Sequence, residues 1–205
     1  MTAGAPPSAP LGAHRKQSVI PEGPALGLVE LCSIARGMRA ADAAVKRAAV
    51  RIRRAGTVHP GKYLIFLEGG VEEVAEALAA AEAVAAETLI DRLFLPNPHT
   101  ELVAVLSRPG AAAVDALGIL EAFSVAAILR GADAALKYAE TAALSLRLAD
   151  DLGGKALFVL TGAQHDVEEA LAAGATAIGA GLLAGCELIA RPHADFVAAF
   201  TQEAR

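Results

Sequence analysis

The chain has 205 residues, a formal net charge of −5 at pH 7 and a mean hydropathy of +0.45; 50 of its residues are alanine, whereas aromatic residues make up only 4%. This apolar content excludes a wholly disordered chain, the 19 glycines and 2 cysteines exclude collagen-like and disulfide-rich classes, and the negative charge argues against a nucleic-acid partner. A membrane partner is not expected, because the uncharged stretch Leu171–Cys186 is shorter than the ~20 residues that a transmembrane helix needs.

The chain begins with a proline-rich segment that has no hydrophobic periodicity. Residues 1–24 hold five of the ten prolines and no apolar core of the signal-peptide kind. We therefore predict a flexible N-terminal tail or late-ordering arm over residues 1–24, and a specific docking peptide is the alternative.

Seven elements are predicted between residues 25 and 106. The apolar runs are of strand length, Val50–Arg53 alternates apolar and basic residues, and the two longer segments are rich in alanine. Glycine and proline at His59–Gly61 predict a turn, and Val71, Val74 and Leu78 are expected to face inward. The predicted elements are the strand Leu26–Ile34, the helix Met38–Ala49, the strands Val50–Arg53 and Tyr63–Leu67, the helix Val71–Glu87, the strand Leu89–Leu95 and a short helix His99–Leu106.

The same pattern then occurs a second time. Residues 25–48 match residues 116–139 at 13 of 24 positions when the two are aligned at an offset of 91. The matches include Gly, Glu, Ser, Asp and Lys in the same order, which a shared excess of alanine does not explain. We infer a tandem duplication, with a first domain over residues 25–106, a linker over 107–115 and a second domain over 116–205.

The order of elements predicts an α/β (α+β) fold made of two ferredoxin-like units, each β-α-β-β-α-β with a short C-terminal helix. Units of about 80 residues leave only a modest core. We therefore expect each unit to bury further surface against its sister unit and against other chains.

Neither cysteine belongs to a metal or disulfide motif. Cys32 and Cys186 stand far apart without a CxxC pair, so both are expected to be small buried residues. Glu30 and Glu121 lie on predicted strands without a paired acid, and no nucleophile motif is present. His99 and His193 each follow a proline and are expected to cap a helix or pack at an interface.

Taken together, the motifs A-L-G-x-x-E, A-A-D-x-x-x-K, P-G-K and P-N-P-H, with R-P-H in the second unit, resemble those of the bacterial microcompartment (BMC) shell domain. The resemblance covers both units and implies a tandem-domain shell protein with unpermuted secondary structure. It implies a structural protein rather than an enzyme, located in the microcompartment shell. The expected assembly is a single-layer homotrimer that mimics a hexamer and tiles with hexameric and pentameric shell proteins.

The resemblance also implies a central pore, lined by the loop between the second and third strands of each unit. The implied pore passes small metabolites in transit, and glycines let backbone N–H groups face a narrow opening. An ordinary hairpin turn is the alternative. The implied pore residues are Val58, His59, Pro60 and Gly61 in the first unit and Asp151, Leu152, Gly153 and Gly154 in the second.

A second implied region is the edge at which neighbouring tiles meet. Lys46 and Lys137 correspond to the helix lysine of the family and Arg191 to its edge arginine. Asn97 stands where the first unit would carry that arginine, so the two kinds of edge differ chemically. The alternative for both lysines is a solvated ion pair with the aspartate four residues earlier.

No cofactor is expected, because neither pore loop contains a cysteine that could hold an iron–sulfur cluster and the histidines lack metal-ligand spacing. Two other functions remain open at this stage. One is a trimeric small-molecule sensor or enzyme built from duplicated ferredoxin-like domains, and the other is a redox or metal-carrying shell variant.

Overall fold

A computed structural model describes residues 24–203. The predicted tail lies outside this range except for Pro24, as do the last two residues. The described part forms two four-stranded antiparallel sheets, each with its own helices in the same order along the chain. This confirms the predicted fold class. None of the helices within residues 24–203 is long and apolar enough to cross a membrane.

The first repeat contains four strands in the spatial order β2-β3-β1-β4. Its helices α1 and α2 each connect two parallel strands that have a third strand between them. Its elements are β1 (Ala25–Leu31), α1 (Ile34–Arg47), β2 (Arg51–Val58), β3 (Lys62–Gly69), α2 (Val71–Ala85), the 3-10 turn Ala86–Thr88, β4 (Leu89–Leu95) and α3 (Thr100–Val105).

The second repeat has the same topology, with the strand order β6-β7-β5-β8. Its elements are β5 (Ala116–Ala122), α4 (Val125–Tyr138), β6 (Ala142–Leu148), β7 (Ala156–Gly162), α5 (Gln164–Ile178), β8 (Leu183–Ile189) and α6 (Ala194–Glu203).

The first helix of each repeat begins directly after a serine. The Ser33 hydroxyl accepts the N–H of Arg36 at 3.3 Å, and the Ser124 hydroxyl accepts the N–H of Ala127 at 2.9 Å. Such N-caps satisfy backbone donors that have no partner within the helix. Because Ser33 is a cap, the first strand ends at Leu31 and the helix begins at Ile34, whereas the apolar pattern had predicted a strand as far as Ile34 and a helix from Met38.

The two repeats share a hydrophobic core. One cluster lies within the first repeat, around Val29, Ile65 and Leu78. A larger cluster joins Leu28, Leu93 and Leu102 of the first repeat to Ile128 and Leu129 of α4 in the second. The burial that each small unit lacks is therefore supplied partly by its sister unit.

Three expectations about burial are wrong. Val71 is 40% exposed at the first position of α2, so it does not face inward. Cys32 and Cys186 are both exposed rather than buried. Cys32 follows the end of β1, and Cys186 lies on β8, a strand that no part of the described chain covers on its outer edge.

Candidate functional site

Two hairpin loops form the centre of the candidate site. The first hairpin loop, residues 58–61, includes the last residue of β2 and leads into β3, and the second hairpin loop, residues 149–155, joins β6 to β7. Gly61, Gly153 and Gly154 have φ values of 106°, 61° and 85°, a region that favours glycine because it lacks a Cβ atom. The His59–Pro60 peptide bond is cis.

The two loops meet although they belong to different repeats. Lys62 Nζ donates to the Gly154 carbonyl at 3.1 Å, and Arg54 Nη2 lies 2.8 Å from Asp150 Oδ2. A Cβ atom added to Gly154 would lie 2.7 Å from Pro60 Cδ, so only glycine allows this approach. The structure thus brings the implied pore residues of both repeats to one corner of the chain.

Most of the implied pore residues are accessible. His59, Pro60, Gly61, Asp151 and Gly153 are exposed, and Leu152 is half-buried.

Two implied pore residues are buried instead. The Val58 side chain is only 4% exposed and belongs to the shared core, and Gly154 is covered by the first hairpin loop. Val58 therefore departs from the expectation, because its side chain holds the loop against the core rather than facing an opening.

A buried carboxylate lies behind the loops. The Glu30 side chain is fully buried, with Oε1 2.8 Å from Lys62 Nζ and Oε2 accepting the backbone N–H of Val125 at 2.8 Å. Lys62 Nζ also donates to the carbonyl of Phe123 at 3.3 Å. The carboxylate thereby satisfies an N–H group at the start of α4, where the helix dipole favours negative charge.

Sequence reasoning assigned no role to Glu30. A usable signal was present, since Glu30 and Lys62 recur together as Glu121 and Lys155. The recurring pair forms an ion pair in the second repeat as well. There the side chains are 34% and 42% exposed, because no other repeat covers them within the described chain.

The two implied edge lysines have different surroundings. Lys46 Nζ lies 2.5 Å from Asp42 Oδ2 on an open helix face. Lys137 Nζ lies 2.7 Å from Asp133 Oδ2 and also donates to the Asn97 carbonyl at 2.6 Å. Lys137 and Asn97 therefore form a pair across the two repeats of one chain.

The remaining implied edge residue lies at the far end of the second repeat. Arg191 is exposed between β8 and α6, well separated along the chain from Lys46.

His99 Nδ1 accepts the N–H of Glu101 at 3.3 Å, and His193 Nδ1 accepts that of Asp195 at 3.2 Å. Both histidines thus cap the short helices that follow, which is the first of the two possibilities that the sequence left open.

A second carboxylate, Glu68, lies on the inner strand β3 next to the edge strand β2. Arg51 and Arg53 both form ion pairs with Glu68. Burial raises the pKa of Glu68. The hydrogen bonds and the charges of Arg53 and Arg51 together lower it by more than burial raises it, so the pKa lies below its usual value.

Comparison with known proteins adds to this geometry. The BMC domain model matches residues 25–98 and 116–192, which correspond to the two structural repeats. The chain belongs to the BMC domain family.

Relatives of this BMC protein cover nearly all of the described residues. The bacterial microcompartment shell protein PduT of Citrobacter freundii is 39% identical over an aligned length of 173 residues, and the match covers 82% of this chain and 93% of PduT. A microcompartment protein from Desulfitobacterium hafniense is 36% identical, with a TM-score of 0.75 over 85% of this chain and 98% of its own.

A third match shows the fold alone. The fused permuted hexameric shell protein MSM0275 from the RMM microcompartment is 19% identical, with a TM-score of 0.53 over 75% of this chain and 80% of its own. The likeness to PduT, a shell protein, supports a structural role in the microcompartment shell for this BMC protein, as the motifs implied.

The alternative of a sensor or enzyme is not favoured. The relative PduT is a shell protein. A groove of about 460 Å³ beside the linker is lined mainly by apolar or small residues, among them Pro109, Val114, Leu144 and Phe200. A specific small-molecule site needs a few convergent polar groups, which this lining does not offer.

Proposed function

We propose that three copies of the chain close into a flat six-domain ring that serves as one tile of the shell. The two hairpin loops of each chain then alternate around a central pore that passes small polar metabolites. The observation that carries this proposal is the meeting of the two hairpin loops through Lys62 and Gly154. Since both loops lie at one corner of the chain, a three-fold axis at this corner brings six loops together.

The chemistry of the loops suits polar solutes. His59 and Asp151 supply exposed polar side chains, and Gly61 and Gly153 leave backbone groups accessible. The buried Glu30–Lys62 pair behind the loops holds them in place.

The outer edges of the ring would contact hexameric and pentameric shell proteins. In this arrangement Lys137 and Asn97 share one edge within a chain, and Lys46 and Arg191 share the other edge between chains. The two kinds of edge thus alternate, and only one carries an arginine that can form a planar charged contact.

A substitution in the first hairpin loop tests the pore. His59→Trp is expected to slow the entry of a small polar substrate into shells that enclose a reporter enzyme, because three bulky rings narrow the opening. His165→Trp, at an exposed position on α5, is the control and should leave entry unchanged. Sedimentation of the purified chains should give three times the 20.8 kDa chain mass for both variants.

Two results would contradict the proposal. Unchanged entry in the His59→Trp shells would show that the loops do not form the passage. Loss of the trimer in this variant would show that the first hairpin loop has a structural role instead.

A further inference from the structure

The sheet of the second repeat carries a small apolar cluster of its own. The cluster consists of Leu117, Leu144 and Val159, and Phe200 of α6 packs against it. Val114, in the linker just before β5, packs against the same cluster. The linker is also held by a backbone bond, since the Gly110 N–H donates to the Leu144 carbonyl at 2.8 Å. The segment that leads into the second repeat therefore covers part of the sheet that it enters.

The first repeat has an equivalent groove. Its volume is about 120 Å³, and its lining includes Leu26, Arg51, Arg53, Glu68, Val103 and Leu106. Leu26 corresponds to Leu117 in the strand registers, and Leu106 corresponds to Phe200 in the aligned repeats. Arg53 stands at the bulge of β2, as Leu144 does in β6. Val103 is 38% exposed, so within residues 24–203 nothing covers this groove as Val114 covers its counterpart.

The groove opens where the N-terminal segment joins the sheet. Ala25 lies on its wall, and the described chain begins one residue earlier, at Pro24. Upstream of Ala25, the first large aliphatic residue is Ile20. The five residues from Ile20 to Ala25 span at most about 17 Å when extended, which is enough to reach along a groove that starts at Ala25. The tetrapeptide Ile20–Gly23 has proline second and glycine fourth, as a type I turn favours.

The charges of the segment and the groove also match. Two arginines and one carboxylate line the groove, so its lining carries more positive than negative charge. Glu22 is the only acidic residue in residues 1–24. Pro21 and Pro24 have no backbone N–H, so the segment cannot extend the sheet beside β2 as a regular strand. Side-chain contacts would have to hold it.

We propose that residues 20–24 fold back over the first repeat of their own chain and close this groove. Ile20 packs against Val103 and Leu106 at the mouth of the groove. Glu22 faces Arg51 on β2. The simple offset of the repeats would place Gly23 at the Val114 position, where a glycine has no side chain to fill the space, and the turn brings Ile20 there instead. The inference does not depend on the proposed ring, because all these residues belong to one repeat of one chain.

Thiol labelling in the full chain tests whether the segment covers the groove. Cys32 and Cys186 are exposed, so both are replaced by serine, and Val103→Cys then supplies a single thiol on the groove wall. Adding Ile20→Ser is expected to speed the reaction of this thiol with DTNB about tenfold, because the buried aliphatic side chain no longer favours the closed arrangement. Leu11→Ser, farther along the same tail, is the matched control and should leave the rate unchanged. Equal rates for Ile20→Ser and Leu11→Ser would overturn the proposal.

A disulfide identifies the chain to which the segment binds. Ile20→Cys and Val103→Cys are combined in the same background without the two native cysteines. Mild oxidation is expected to consume both thiols and to leave a product with the mass of one chain. A product that joins two chains would show that the segment docks on a second copy, and no disulfide at all would show that Ile20 does not reach Val103. Either result would overturn docking within one chain.

Discussion

The Glu30 carboxylate accepts the backbone N–H of Val125 at 2.8 Å, although the two residues are 95 positions apart in the chain. This bond joins the C-terminal end of β1, an inner strand of the first repeat, to the first turn of α4 in the second repeat. Lys62 balances the buried charge at 2.8 Å and reaches the second hairpin loop with the same ammonium group. One ion pair therefore couples the docking of the two repeats to the position of both loops.

Removal of this carboxylate should destabilise the fold. In Glu30→Ala the Lys62 charge is left without its partner and the Val125 N–H without an acceptor, and we expect the free energy of unfolding to fall by about 3 kcal/mol. Urea unfolding followed by circular dichroism gives this value. Glu76→Ala, which breaks an exposed ion pair with Arg47, should cost less than about 1 kcal/mol. Equal costs for the two variants would contradict the role given to Glu30.

The sequence predicts most of the fold, because the signals that define it are local or repeated. Because the sequence is duplicated, the elements predicted for the first repeat also apply to the second. The alanine-rich helices and apolar strands can be recognised from local sequence patterns alone. The start of α1 differs from the prediction because of a single polar contact. Ser33 ends the strand pattern early by capping α1, a contact that hydrophobicity does not encode.

Burial and partners are harder to predict, because they depend on which surfaces meet. Val71 and Cys32 have the composition of core residues but lie at the start of α2 and just after β1, where the described chain leaves them open. Lys137 and Lys46 have the same motif, yet only Lys137 finds a partner repeat within its own chain. The difference arises from the order of the repeats along the chain rather than from local sequence.

The second hairpin loop should tolerate a side chain at one glycine but not at the next. Gly154→Ala combines a positive φ with a Cβ atom 2.7 Å from Pro60, so we expect a loss of about 3 kcal/mol. Gly153→Ala has a positive φ but nothing within 4 Å, so we expect a loss of about 1 kcal/mol. Urea unfolding of the two variants side by side measures the difference. A smaller loss for Gly154→Ala would show that the two loops do not pack together in solution.

The Glu68 cluster predicts a specific pH dependence of stability. The folded pKa of Glu68 lies below its ordinary value of 4.5, because the hydrogen bonds and charges of Arg53 and Arg51 outweigh the effect of burial. The group therefore stabilises the fold above about pH 4.5, and this contribution is lost as the pH falls through the folded pKa.

Unfolding measured from pH 7 to pH 3 checks this dependence. The gap in unfolding free energy between the unmodified chain and Glu68→Gln should be widest at neutral pH and narrow below pH 4.5. Glu87→Gln, in which the side chain replaced is 73% exposed, controls for the loss of a surface carboxylate. A gap for Glu68→Gln that stays constant down to pH 3 would be inconsistent with the ion pairs to Arg51 and Arg53.

Electron cryomicroscopy of the purified full-length chain tests the shell-tile proposal most directly. The expected map shows a flat hexagonal particle with three-fold symmetry, in which six sheets surround a central opening and residues 58–61 and 149–155 of each chain border that opening. Single chains, or rings in which these loops lie at the outer rim, would contradict it.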